Sequence, residues 1–161
     1  MENFTLVPTS KGVEIICITE INYISNYIKN NGDFMISMVK YFRSIHGICY
    51  FNSNYYDVSH GSVLKKWNCH HGICLQTTGD GNCLYNSLSL ALFGNESYSK
   101  NIKLCMVFII LEYEEYFRNL VQSFQYAEGY EKTVVACSTL GIFGNEFNMV
   151  ALSLLFLRPI K

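Results

Sequence analysis

The chain reads Gly79-Asp80-Gly81-Asn82-Cys83 at a turn that leads directly into an apolar helical pattern. Asp-Gly favours a chain reversal, and we expect it to follow a short strand over residues 73–76. Beyond the turn, apolar residues recur at helical spacing until Gly94, a typical helix stop. The pattern therefore predicts a helix that begins at Cys83.

A cysteine at the start of a helix is a candidate nucleophile. The first N–H groups of a helix lack intrahelical acceptors, and the positive end of the helix dipole favours a thiolate over a thiol. Gly79 and Gly81 leave the turn free of side-chain bulk, so backbone N–H groups can face an oxyanion beside the sulfur. The alternative is a structural role, since Asp-Gly turns are common and cysteine is often a small buried hydrophobe.

The string from Gly79 to Ser89 resembles the nucleophile motif of ovarian-tumour (OTU) type cysteine peptidases. That motif is Asp-Gly-Asn-Cys, followed by a hydrophobic residue, an aromatic residue, commonly Arg, and a small residue. Leu84 and Tyr85 match it, whereas Asn86 stands where Arg is usual. The motif implies Cys83 as the nucleophile.

A second segment, residues 141–160, is similar to the part of OTU domains that holds a Gly-rich loop, an acidic residue, a helix containing Ala-Leu and the next strand. Asn145 is suited to the helix N-cap. Pro159 disfavours helical geometry at Arg158, so we expect this helix to end near Leu157. The order of the two segments agrees with the family.

The resemblance extends from about Val58 to the last residue and implies an α/β (α+β) fold of the OTU cysteine-peptidase type. We expect a small central sheet flanked by helices, with residues 1–57 as an N-terminal region of open role and 58–161 as the OTU-like domain. Asp80, Gly81 and Asn82 would form the oxyanion loop.

The function implied by the resemblance is hydrolysis of the isopeptide bond between ubiquitin and a protein lysine. The partner would be ubiquitin or a ubiquitinated protein, and neither a metal nor an organic cofactor is required. A histidine would act as the general base, oriented by an Asp or Asn.

OTU peptidases carry that histidine downstream of the cysteine, on a strand near the end of the domain. The four histidines here, His46, His60, His70 and His71, all precede Cys83. We therefore expect the domain to be incomplete at its C-terminal end, and cleavage to return when a histidine strand is added. The alternatives are a catalytically silent OTU-like module that binds ubiquitin or another protein, and a gene fragment.

His70 and His71 lie close in sequence to the motif, but we expect neither to reach Cys83. With Cys69 and Cys74 they also offer zinc donors, although the spacing matches no recognised zinc finger. A polar turn between a helix and the strand at 73–76 is the favoured interpretation.

Composition narrows the function classes. Twelve basic and 13 acidic residues give a net charge of −1. The composition therefore lacks the excess of positive charge that is typical of proteins that bind nucleic acid or an acidic membrane. Seven cysteines in no regular framework, without a signal peptide, predict reduced thiols and an intracellular, cytoplasmic location. The longest apolar run, 104–111, is far below the roughly 18 residues of a membrane span.

The remaining elements follow from periodicity. Strands are expected at 13–18 and 133–137. Helices are expected over 21–28 and 34–45, and one long helix over 102–120.

Overall fold

A computed structural model describes residues 4–9, 12–17, 21–45, 53–57, 59–66, 68–69, 72–124 and 128–160. The elements in chain order are β1 Phe4–Thr9, β2 Gly12–Cys17, α1 Ile21–Asn30, α2 Gly32–Ser44, α3 Gly61–Lys66, α4 Cys83–Phe93, α5 Ser99–Glu112, α6 Glu114–Ser123, α7 Gly129–Ser138 and α8 Glu146–Phe156. A short 3-10 turn occupies Ser53–Tyr55.

The described part of the chain has no central sheet, so the expected α/β (α+β) architecture is wrong. Within the described ranges, β1 and β2 pair with each other in antiparallel orientation and with no further strand. The expected strand at 73–76 is reduced to one isolated bridge between Tyr56 and Leu75. The core around the candidate site is built from helices packed on helices.

Helix α5 lies at the centre of this core. Its residues from Ile102 to Ile110 are all buried, and it contacts α2, α4, α7 and α8. A helix that is apolar on every side must be covered on every side, which explains this central position. The helix thereby fixes the positions of α4 and α8.

Helices α1 and α2 contribute to the same core as α8, although they precede residue 57. Met35, Val39 and Phe42 of α2 are buried in that core. Arg43 of α2 also donates from Nε to the carbonyl oxygen of Leu155, at 3.0 Å. A domain boundary near residue 57 stays a prediction.

Two further expectations about local structure are wrong. Residues 133–137 lie in α7 rather than in a strand, because Tyr130, Thr133, Val134 and Cys137 are buried at helical spacing. The stripe at 102–120 is divided between α5 and α6, with the break at Tyr113.

None of the helices in the described ranges has the length and hydropathy needed to cross a bilayer.

Candidate active site

Cys83 is the first residue of α4, as the sequence predicts, and it is half-buried. The helix ends at Gly94, whose φ of 74° is the left-handed conformation that terminates helices. The turn before Cys83 and the glycine after Phe93 therefore define the helix that carries the candidate nucleophile. Whether Cys83 is catalytic stays a prediction.

The turn before Cys83 is held by the carboxylate of Asp80. Asp80 Oδ1 accepts hydrogen bonds from the backbone N–H of Asn82, at 2.8 Å, and from Asn86 Nδ2, at 3.0 Å. Partial burial acts to raise the pKa of Asp80, but these hydrogen bonds outweigh it and lower the pKa. Asn86, which replaces the usual Arg, also donates to the carbonyl of Thr78 at 3.1 Å and so braces the turn.

The two segments that resemble the OTU family lie against each other at this turn. Gly81 has a φ of 82°, and a Cβ atom added to it would lie 2.1 Å from the carbonyl oxygen of Gly141. A Cβ atom on Gly144 would lie 2.3 Å from Leu84 Cδ2. The approach to the backbone of Gly141 requires the absence of a side chain at Gly81, whereas a side chain at Gly144 would displace the Leu84 side chain. The loop before α8 therefore fits closely onto the start of α4.

Helix α8 is capped beside the site as the sequence predicts. Asn145 accepts from the backbone N–H of Asn148, while Asn148 Oδ1 accepts from the backbone N–H of Asn145 at 2.8 Å. The amide of the buried Asn148 also donates to Tyr85 Oη at 3.1 Å. This polar contact links the start of α8 to the first turn of α4.

Lys103 is a site residue that the sequence analysis missed. Its side chain is 1% exposed, and Nζ donates to Asn82 Oδ1 at 3.0 Å and to the carbonyl oxygen of Thr139. Nζ also lies 4.9 Å from the centroid of the Tyr85 ring. Burial lowers the pKa of Lys103 to about 8, while Cys137 and Asp80 act in the opposite direction. A single lysine within the apolar stretch of α5 was the available signal.

The start of α4 retains unbonded backbone donors. Asn82 occupies the N-cap position but makes no capping bond with its side chain, because Oδ1 accepts from Lys103 and from the N–H of Gly141, at 3.2 Å. Among the described residues, no group accepts from the backbone N–H of Cys83 or Leu84. Such donors beside a sulfur are suited to stabilising an oxyanion.

No described side chain hydrogen-bonds to the sulfur of Cys83. His60 is engaged elsewhere, with Nδ1 2.6 Å from Asp57 Oδ2 and a side chain that is 68% exposed. A hydrogen bond from Ser59, followed by that from His60, lowers the pKa of Asp57.

The other three histidines, His46, His70 and His71, lie outside the described residues, so the expectation that none reaches Cys83 stays a prediction. The alternative of a zinc site uses His70 and His71, so it lies partly outside the described residues. Within the described ranges, no three His, Cys, Asp or Glu side chains are grouped so as to hold a metal ion.

Comparison with known proteins connects this site to a family. Residues 74–139 match the family described as the OTU domain of vertnin. No curated protein and no solved structure matches the chain. The matched segment contains the turn at residues 79–82, Cys83 and Lys103, and it ends just before the second segment at 141–160. Residues 74–139 therefore belong to the OTU domain family.

Proposed function

We propose that this protein acts on ubiquitin conjugates as an OTU-type cysteine peptidase, with Cys83 as the nucleophile and residues 58–161 as the OTU-like domain. The observation that carries the proposal is the position of Cys83 at the start of α4, next to the unbonded N–H groups of Cys83 and Leu84. A nucleophile beside oxyanion donors is the geometry that acyl transfer requires.

In the proposed reaction, the Cys83 thiolate attacks the carbonyl carbon of the isopeptide bond. A C–S bond forms, and the electron pair of the carbonyl moves to oxygen, where the backbone N–H groups donate to it. The intermediate then expels the lysine amine, which takes up a proton, and water hydrolyses the resulting thioester. Asp80 and Asn86 keep the turn in place during these steps.

The proton transfers require a base that the described residues do not place at Cys83. General acid–base catalysis typically contributes about 10²–10⁴-fold to such reactions. We therefore expect the described site to bind ubiquitin and to form an acyl adduct more readily than it completes turnover.

A reducing intracellular compartment, the cytoplasm, suits this chemistry. The free thiols of the described part include Cys74, Cys83, Cys105 and Cys137. Free thiols are typical of proteins in reducing compartments.

The second candidate function is a catalytically silent module that binds ubiquitin. It is favoured by the same absence of a described base at the Cys83 sulfur. In that case Cys83 would be a small residue of a binding surface, and its replacement by alanine would leave the affinity for ubiquitin unchanged.

Ubiquitin with a C-terminal 2-bromoethylamide distinguishes the two functions, because displacement of bromide by a thiolate needs no general acid. We expect a covalent adduct that maps to Cys83 by peptide mass spectrometry and is absent from Cys83→Ala. Cys74→Ala, which removes another half-buried thiol, is the matched control and should retain labelling. Binding of ubiquitin without any adduct would support the silent module, and an adduct on another cysteine would refute the assignment of Cys83.

A further inference from the structure

Lys103 is a buried cation whose role is not explained by an ion pair. The ion pairs of the described residues do not include it. Burial of a charge is unfavourable unless the charge is well hydrogen-bonded. The acceptors of Lys103, Asn82 Oδ1 and the carbonyl of Thr139, therefore indicate what the lysine positions.

Lys103 holds the side chain of Asn82 in an orientation that is unusual for an N-cap residue. Asparagine at an N-cap normally accepts from the backbone N–H of the second or third helical residue, here Leu84 or Tyr85. Instead, its Oδ1 accepts from Lys103 Nζ at 3.0 Å and from the N–H of Gly141 at 3.2 Å. The carboxamide is therefore directed away from the end of α4.

We propose that Lys103 is a positioning residue for the chemistry of Cys83. By holding the carboxamide of Asn82 away from the helix, it keeps the N–H group of Leu84 available to an oxyanion, beside that of Cys83, with which an N-cap side chain does not bond. Without the ammonium group, one bond from Gly141 remains, and the carboxamide is able to turn back and cap α4. This role deepens the proposed function and rests on it.

The role can be tested with small probes that do not require ubiquitin. The thiolate of Cys83 adds to the carbonyl carbon of N-acetyl-Gly-Gly-glycinal, a peptide aldehyde. A C–S bond forms, the carbonyl electron pair moves to oxygen, and the oxyanion takes a proton from water to give a hemithioacetal. Iodoacetamide instead alkylates the sulfur by displacing iodide and places no charge on a carbonyl oxygen. The affinity for the aldehyde is measured from the degree to which the aldehyde protects Cys83 from alkylation by iodoacetamide. The rate of alkylation in the absence of the aldehyde measures the reactivity of the thiol.

We expect Lys103→Met to weaken the aldehyde affinity by about 2- to 10-fold, the loss expected for one hydrogen bond. The rate of alkylation by iodoacetamide should not change. Adding Asn82→Ala to Lys103→Met should restore the affinity, because the competing carboxamide is then absent. Lys100→Met, which changes an exposed lysine of the same helix, is the control and should behave as the wild type.

Three results would overturn the proposal: an unchanged aldehyde affinity in Lys103→Met, no recovery on adding Asn82→Ala, or a parallel loss of alkylation rate. We expect Lys103→Met to fold, because an apolar side chain of similar length replaces a buried charge. The absence of a ubiquitin adduct would refute the proposed function, whereas these aldehyde measurements would still decide the role of Lys103.

Discussion

Gly81→Ala tests whether the turn before Cys83, residues 79–82, depends on close contact with the loop before α8. The φ of 82° at Gly81 is left-handed, which costs an L-residue about 1–2 kcal/mol. The new Cβ atom would also lie 2.1 Å from the oxygen of Gly141, and such overpacking typically costs about 1–3 kcal/mol. Together these effects predict a loss of about 2–5 kcal/mol in the free energy of unfolding.

Gly79→Ala is the matched control for this substitution, because Gly79 lies in the same turn, has no left-handed φ, and has open space around its Cβ position. For a chain of this size, the predicted loss corresponds to a decrease in Tm of about 4–20 °C. Urea and thermal unfolding, followed by circular dichroism, would measure the change. A Gly81→Ala protein that is as stable as Gly79→Ala would refute the close packing of the two segments.

The remaining predictions concern α8, Lys103 and the missing base. Asn145→Ala should lower the free energy of unfolding by about 1 kcal/mol, because the hydrogen bond from the backbone N–H of Asn148 to the Asn145 side chain is lost. Asn119→Ala, an exposed change on α6, should have little effect in the same urea titration. The pKa of Lys103 is lowered to about 8 in the folded chain, so above that pH the unfolded chain binds a proton that the folded chain does not, and stability rises with pH. Relative to Lys103→Met, the wild type should therefore gain about 1 kcal/mol between pH 7 and pH 9, and parallel stability curves for the two proteins would contradict the burial of the ammonium group. Hydrolysis of di-ubiquitin should be negligible in buffer, should increase when imidazole is supplied as an external base, and should remain absent in Cys83→Ala; efficient cleavage without imidazole would show that a base is already in place.

The turn and its helix could be predicted from the sequence because the signals are local. Asp-Gly marks the turn, the apolar spacing marks α4, and Gly94 marks its end. The same applies to Asn145 at the start of α8. These features need no knowledge of distant contacts.

The architecture could not be predicted in this way, since it depends on which surfaces meet. The β-branched residues Thr133, Val134 and Val135 favour a strand locally, but burial of Tyr130 and Cys137 at helical spacing places them in α7. The central sheet was expected from the family resemblance, in addition to the strands expected from residue patterns. Its absence from the described part shows that a shared nucleophile motif does not determine the surrounding layers.

Lys103 was missed for a related reason. A lysine in a sequence usually indicates a solvent-exposed face, and only the packing of α5 on every side reveals that this one is enclosed. Its partner Asn82 lies 21 positions earlier in the sequence, so no local pattern connects them.

The most direct test of the central claim, that Cys83 is a nucleophile positioned for ubiquitin, is transfer of ubiquitin from a C-terminal thioester. The thiolate of Cys83 would form a new C–S bond to the ubiquitin carbonyl and expel the small thiolate, a step that needs no protonated leaving amine. We predict that the chain gains the mass of one ubiquitin acyl group, that hydroxylamine removes it, and that Cys83→Ala does not gain it. A chain that stays unmodified under these conditions, or that carries the ubiquitin on another residue, would contradict the claim.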